Sequence, residues 1–359
     1  MTNKELELAW DFINNTDRNV FLTGKAGTGK TTFLHKLKKE CLKRVVVVAP
    51  TGVAAINAKG VTIHSFFQMP FGPILPNQDL NNSLGFNRKF NRTKINIIKS
   101  LDLLIIDEIS MVRADLLDGI DKTLRRYRNR IKVFGGVQVL MIGDLQQLSP
   151  VIKENEWSLL KPFYKNIFFF NSQAYQECNA ITVELKYIYR QDNPKFINIL
   201  NEIRTNNLSQ SSASELNKRW IPDFTPTEDE GYISLTTHNN RAEQTNNSQL
   251  EKLSGKTKVY NARIEGKFPE FSHPNKEELE LKVGAQVMFI KNDSSPEKLY
   301  FNGKIGKVIL LDKNEVVVKC PDDQFNIITT PEEWENINYK VDKETKAITE
   351  NKIGSYIQM

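Results

Sequence analysis

One stretch near the amino terminus restricts the fold more than any other: Phe21-Leu22-Thr23-Gly24-Lys25-Ala26-Gly27-Thr28-Gly29-Lys30-Thr31-Thr32-Phe33-Leu34. It reads strand, glycine-rich loop, helix. Residues 24–31 fit G-x-x-x-x-G-K-[ST], a loop that cradles phosphate. Lacking Cβ atoms, Gly24, Gly27 and Gly29 let the backbone turn tightly and bring its N–H groups against phosphate oxygens. A helix opening near Lys30 adds the positive end of its dipole. Lys30 supplies a point charge for the β and γ phosphates, and the Thr31 hydroxyl is placed to ligate Mg²⁺. The expected nucleotide contacts are therefore Gly24, Lys25, Ala26, Gly27, Thr28, Gly29, Lys30, Thr31 and Thr32. The competing reading is a chance glycine-rich turn. The apolar strand at 20–22 and the helix that follows weigh against it.

The remaining periodicities fit that start. Leu6, Ala9, Trp10 and Ile13 mark an entry helix over 4–15. Val45–Ala49 is a β-branched run bounded by Pro50, the pattern of a parallel strand buried on both faces. Leu103–Ile106 and 137–142 read the same way, and 167–170 and Ile181–Leu185 are further strand candidates. Between them, 53–58 and 114–128 read as helices. Alternating strands and helices predict an α/β, doubly wound parallel sheet, and each motif sits just past a strand's carboxyl end, where such folds bind ligands. From about 181 the pattern changes. Residues 196–204 read as helix and 205–230 as polar loop. Residues 232–236, 281–290, 307–311 and 315–319 read as strands separated by short turns, as in a small antiparallel barrel or sandwich.

Length and composition narrow the function. A chain of 359 residues suggests two or three domains. The longest apolar runs are strand-length, so no membrane span and no membrane partner is expected. The charged amino terminus lacks a signal-peptide core, pointing to the cytosol. Cys41, Cys178 and Cys320 are too far apart for a metal site or a disulfide framework, and read as small hydrophobes in a reducing compartment. The formal charge of +6 permits an anionic partner without demanding one.

Two further strand exits carry chemistry. Asp107-Glu108 ends the Leu103–Ile106 run. Beside a phosphate loop, the first acid serves Mg²⁺ and the second orients or deprotonates the attacking water. On its own the pair could equally cap the next helix. Gly143-Asp144-Leu145-Gln146-Gln147-Leu148-Ser149-Pro150 follows the next strand. Gln147 could there bond the γ-phosphate or its water; the alternative is a polar turn stopped by Pro150.

The order of these motifs, with Pro50-Thr51-Gly52-Val53-Ala54-Ala55, Thr62-Ile63-His64-Ser65-Phe66-Phe67 and Glu184-Leu185-x-x-x-Tyr189-Arg190-Gln191, resembles the Pif-one-like and RecD-like superfamily 1B group of 5′-to-3′ DNA helicases. The match is dense over the first 191 residues and sparser at Thr237-His238-Asn239 and Val283-Gly284-Ala285-Gln286-Val287-Met288. It implies a P-loop NTPase, RecA-like lobe over 1–180 with a DNA-contacting insertion near 61–95. It further implies a partial second RecA-like lobe over 181–290, a small SH3-like β insertion over 291–345, and the start of the returning second lobe over 346–359. It implies an ATP- and Mg²⁺-dependent motor on single-stranded DNA and fork junctions, acting as a monomer in a bacterial-type cytosol, in replication, repair or telomere-type maintenance. Lys30, Glu108, Gln147 and Arg190 would act in catalysis. Thr31 and Asp107 would serve the metal. Thr51, Gly52, His64, Ser65, Phe67, Thr237, His238 and Asn239 would line the strand path. Arg190 alone reads as a surface arginine, and His64 alone as a satisfied core histidine.

Three features complicate the resemblance. Phe66, Phe67, Phe71, Phe86 and Phe90 alternate with Arg88, Lys89, Arg92 and Lys94. That composition suits base stacking beside phosphate contacts, and equally a loop mini-core with a solvated basic face. Arg125, Arg126, Arg128 and Arg130 read as a helix's solvent face. Relatives usually carry a Gln in the entry helix to read adenine, whereas residues 1–22 contain none and Glu7 lies near that place. The last residues, 353–359, stop short of a DNA-gripping motif and an Arg-bearing motif expected of relatives. The expectation is a second lobe with an incomplete sheet, completed by a separate chain or left as a non-motor ATP- and DNA-binding module.

Overall fold

The computed structural model describes residues 3–70, 72–76, 90–224, 232–293, 295, 297, 299–321, 323–341 and 348–359. Phe71, Phe86, Arg88 and Lys89 lie outside the described residues. The chain divides into two compact units, Met1–Ser212 with Ile337–Lys352, and Ala213–Asn336 with Ile353–Met359. The division falls at Ser212 rather than at 180, because the strand over Ile181–Leu185 belongs to the first unit's sheet.

In the first unit the elements run α1 (Lys4–Asn15), β1 (Val20–Gly24), α2 (Lys30–Glu40), β2 (Val45–Ala49), α3 (Gly52–Asn57), β3 (Val61–Thr62), α4 (Ile63–Phe67), α5 (Arg92–Ser100) and β4 (Leu103–Ile106). They continue through α6 (Ala114–Tyr127), β5 (Gln138–Gly143), α7 (Glu154–Leu160), α8 (Gln173–Cys178), β6 (Ile181–Leu185) and α9 (Pro194–Arg204), and α10 (Gln210–Asn217) straddles the division. The six strands form one parallel sheet in the order β3-β2-β4-β5-β1-β6. Strand periodicity of two explains how it is covered. Val20, Leu22, Val47, Leu103, Ile105, Leu140 and Ile142 face one way, against Ala9, Ile13, Phe33, Leu34 and Leu37 of α1 and α2. Phe21, Val46, Val48, Leu104, Ile106, Val139 and Met141 face the other, against α4, α5, α6 and α8. With helices on both faces the strands need no polar alternation, which is why they read as unbroken apolar runs.

Two expected features of this unit are corrected. Residues 167–170 form no strand: Phe168 makes a single antiparallel bridge to Arg113, and Phe169–Asn171 is a 3₁₀ turn. Phe169 is driven instead into the core, edge-to-face with Phe21 at 5.2 Å and Tyr175 at 5.2 Å. The α6 arginines are not all solvated. Arg128 donates to the carbonyls of Ile98, Lys99 and Leu101 at the end of α5, and Arg125 pairs with Asp121 and Glu177. Orphan carbonyls at a helix end take a cation well. Arg126 and Arg130 are exposed, as expected.

The second unit holds α11 (Asn239–Lys252), β7 (Lys258–Asn261), β8 (Arg263–Gly266), β9 (Glu278–Leu281), β10 (Gln286–Met288), β11 (Ile305–Leu311), β12 (Val316–Lys319) and β13 (Ile327–Thr329). The last strands, β14 (Glu332–Val341) and β15 (Ile348–Gln358), span the division: their residues 337–341 and 348–352 fall in the first unit. Strands β10-β11-β12-β13 make an antiparallel sheet, β7 pairs with β9, and β15 pairs with β8. The strand expected at 281–290 is broken, because Gly284 turns the chain at φ +92. Residues 232–236 are extended but join no sheet among the described residues. The Tyr232 carbonyl is taken by the Gln286 side chain.

Candidate functional site

The carboxyl edge of the parallel sheet gathers the motifs in strand order. Residues 62–65 follow β3, Thr51 follows β2, Asp107-Glu108 follows β4, Asp144 follows β5, the glycine-rich loop follows β1, and Tyr189-Arg190 lies beyond β6. The loop thus sits between Asp144 and Tyr189-Arg190. Gly29 opens α2 at φ +91 without a side-chain cap. The first-turn amides of α2 are therefore left to an anion, whereas α1, α3 and α4 are capped by Asn3, Thr51 and Thr62. Gly27 adopts φ +78, and a Cβ there would stand 2.5 Å from the Arg190 Cβ. Its carbonyl accepts the Tyr189 N–H at 2.8 Å. The Lys30 ammonium donates to the carbonyls of Gly24 at 2.6 Å and Lys25 at 3.0 Å. Thr28 is buried and donates to the Lys25 carbonyl, while Ala26, Thr31 and Thr32 are exposed.

Charge at this edge is concentrated and poorly solvated. Burial pulls Lys30 below the usual lysine range, against the opposing fields of Asp144 and Glu108. Burial and the neighbouring Glu108 push Asp107 up to about 6. Glu108 is raised by burial, with Lys30 opposing and Asp144 adding. Glu108 also holds a left-handed backbone, φ 50 and ψ 45, uncommon for a residue with a side chain and typical of strained functional positions. Burial alone would raise Asp144, but hydrogen bonds from Arg204, the Gln146 N–H and Gln147 outweigh it and hold the carboxyl low. Gln147 is exposed and donates its amide to Asp144 Oδ2 at 3.1 Å.

This edge suits a nucleotide triphosphate with its metal. It offers uncapped helix amides, a lysine, a hydroxyl at Thr31, and a carboxylate at Asp107 that burial keeps close to protonation. Among the described residues no cluster of three or more His, Cys, Asp or Glu could hold a metal alone. A metal carried largely by phosphates and water needs no such cluster.

The residues expected on a strand path are dispersed. β2 and β3 pair in register through Val48↔Val61 and Ala49↔Thr62, so Thr51-Gly52 and His64-Ser65 leave the sheet as neighbours. Thr51 caps α3, Ser65 is exposed, and His64 is half-buried, its pKa lowered by burial and by Arg113. Phe67 does not belong with them. It is 1% exposed in the core, edge-to-face with Phe66 at 4.8 Å. A base-stacking ring must show a face to solvent, and this one shows none. Phe90 stacks on Tyr127 at 5.1 Å, and the Lys94 ammonium lies 3.9 Å from the Phe66 ring centroid. For these aromatics the mini-core reading holds. Thr237, His238 and Asn239 are exposed at the start of α11 in the second unit, with Thr237 and His238 hydrogen-bonded side to side at 2.8 Å.

Comparison with known families decides the lineage. The model of the PIF1-like helicase family matches residues 3–214. The chain belongs to the PIF1-like helicase family. The ATP-dependent DNA helicase PIF1 of Saccharomyces cerevisiae (strain YJM789) is 35% identical over 311 residues, 81% of this chain and 34% of that protein, so the chain spans about a third of that relative's length. Bacteroides sp Pif1 in complex with ADP-AlF4 superposes with a TM-score of 0.92 at 41% identity, over 100% of this chain and 80% of that one. Bacteroides Pif1 bound to ssDNA gives 0.64 at 40% identity over the same shares. The parallel sheet of the first unit is thus the RecA-like P-loop fold of PIF1-like helicases.

In this member of the PIF1-like family the entry helix meets the segment beyond β6 through Asn3 rather than Glu7. Glu7 is exposed on α1, and Asn3 is the residue that reaches the Tyr189 hydroxyl, at 3.3 Å. Sequence reasoning named Asp144 as part of a turn and gave it no role, and it missed Arg204 altogether. The available signal was a carboxylate immediately after a buried strand, which needs a cation. Its partner lies 60 residues later and carries no motif.

Proposed function

We propose that this chain is an ATP-driven helicase or translocase that tracks single-stranded DNA 5′ to 3′, with ATP·Mg²⁺ bound at the edge between β4 and β6. The observation that carries the reading is the convergence on one sheet edge of an uncapped α2 amino terminus, Lys30, Asp107-Glu108 and Gln147. Lys30 and the α2 amides would bind the β and γ phosphates, and Thr31 and Asp107 would hold Mg²⁺. When bound, the ion neutralises phosphate charge. Glu108 would accept a proton from water as its oxygen attacks the γ-phosphorus and the β–γ bridging P–O bond breaks to release ADP. Gln147, with one amide hydrogen held by Asp144, would orient that water. Arg190, on the segment over Gly27, would stabilise charge in the transition state.

Single-stranded DNA as the partner rests on the relatives' activity and on the exposed polar pairs beyond β2 and β3 and at α11. No described helix is long and apolar enough to cross a membrane. The test is ATP hydrolysis by the 359-residue chain with and without oligothymidine, against Lys30→Ala. Strand-stimulated phosphate release, abolished by the substitution, supports the motor. Release that ignores oligothymidine leaves only a nucleotide-binding module. Forked duplexes with either overhang then fix the direction of travel.

A further inference from the structure

Asp144 is 2% exposed, and four donors saturate its two oxygens. The Arg204 guanidinium spans both, at 2.9 Å to Oδ2 and 2.7 Å to Oδ1. The Gln146 N–H reaches Oδ1 at 3.1 Å, and the Gln147 amide reaches Oδ2 at 3.1 Å. Arg204 arrives from the last turn of α9, itself largely buried. A forked, two-point pairing of this kind fixes direction as well as charge.

A second cation feels the same carboxylate. Of the charges acting on the Lys30 ammonium, Asp144 ranks ahead of Glu108, Arg204 and Asp107. Lys30 nevertheless donates to the Gly24 and Lys25 carbonyls, not to Asp144. One buried carboxylate therefore acts on two cations, and its hydrogen bonds are to Arg204 rather than to Lys30. Were Arg204 removed, the carboxylate would be left uncompensated beside the phosphate loop. Its field on Lys30 would no longer be offset by Arg204, and the triphosphate would meet an added negative charge.

We infer that Arg204 is a positioning residue for nucleotide binding: by claiming Asp144 it leaves the charge of Lys30 to the phosphates and sets the Gln147 amide that Asp144 anchors. This rests on the nucleotide reading above. Arg204 touches no reacting atom, so its effect passes through Asp144, and an Asp144 substitution should relieve the part that is electrostatic.

The test is fluorescence titration of the 359-residue chain with mant-ATP and Mg²⁺, alongside oligothymidine-stimulated turnover. Arg204→Gln should weaken mant-ATP binding roughly tenfold, the scale of one lost charge-assisted contact. Arg204→Lys, which keeps the charge but not the fork, should fall between. Asp144→Asn with Arg204→Gln should restore affinity to within roughly threefold of wild type while turnover stays low, because a neutral amide at 144 anchors Gln147 more weakly than the carboxylate does. A merely structural clasp predicts lowered melting temperature, unchanged nucleotide affinity and no recovery in the double variant; that pattern overturns the inference. If Arg204→Gln does not fold, unchanged affinity in Arg204→Lys overturns it equally. Wild-type protein that retains no mant-ATP overturns the nucleotide reading itself, and this inference with it.

Discussion

Gly27 and Phe67 each stand a few residues beyond the carboxyl end of a strand in the same parallel sheet, and both sit in motifs shared with DNA helicases. Gly27 is part of a loop whose chemistry is carried by the main chain: φ +78, no room for a Cβ, a carbonyl tied to Tyr189. There, residue type and spacing translate directly into geometry. Phe67 lies in a one-turn helix, α4, where Ile63, Phe66 and Phe67 are buried and Ser65 is exposed. Residue type says little there, since an aromatic ring serves a core and a base equally well. Burial decided for the core, and left Ser65 and half of His64 outward. Motifs built on backbone reveal their ligand, whereas motifs built on side chains reveal it only once packing is known.

The contrast can be broken at several points. The largest effect belongs to the loop. Lys30→Ala should cut oligothymidine-stimulated phosphate release on the order of a hundredfold or more, with little change in melting temperature. Retained turnover would remove the loop from the chemistry. Phe67→Ala should act the opposite way, costing about 3–5 kcal/mol in denaturant unfolding through an unfilled core site. Its oligothymidine affinity, measured while still folded, should stay close to wild type. Lost affinity at intact stability would return Phe67 to the strand path.

Gly27→Ala should destabilise by about 1–3 kcal/mol, because the new methyl meets Arg190 and the backbone stays left-handed. It should also abolish mant-ATP binding, while Ala26→Ser, at the exposed neighbour, should do neither.

The smallest effect tests the strained acid edge. Asp107 titrates near 6 in the folded chain against 3.8 when unfolded, so the fold prefers its neutral form. The resulting penalty is full above about pH 6 and vanishes below about pH 4. Asp107→Asn should therefore raise stability at pH 7 by ~1–3 kcal/mol, and the gain over wild type should shrink as pH falls toward 4. A constant difference across that range would mean the carboxyl is not held high.

Much of the first unit was legible because parallel strands covered on both faces leave a plain trace. Val45–Ala49, Leu103–Ile106 and Ile181–Leu185 appear with the bounds read from sequence. Three misreadings have physical causes. The aromatic run at 167–170 has strand composition, but Phe169 is buried in the core from a 3₁₀ turn. The 205–230 stretch conceals α10, whose polar residues are organised by Glu202 accepting from Ser209 at 2.9 Å, a contact no propensity encodes. Residues 232–236 have strand alternation, but a strand exists only beside another, and none lies alongside among the described residues. At the candidate site, the placing of the loop and of Asp107-Glu108 just past β1 and β4 could be read directly. Arg204 could not, because ion pairs between distant segments leave no local periodicity.

The bond from the Tyr189 N–H to the Gly27 carbonyl joins two segments that are far apart in sequence, with Arg190 packed where a larger residue than glycine would collide. A loop so fastened cannot breathe alone. Any adjustment it makes around an incoming phosphate drags the main chain at 189–190, and that chain runs on within a few residues into α9. A shift of the Gly27 carbonyl would therefore be felt first at 189–190, and from there at the root of α9.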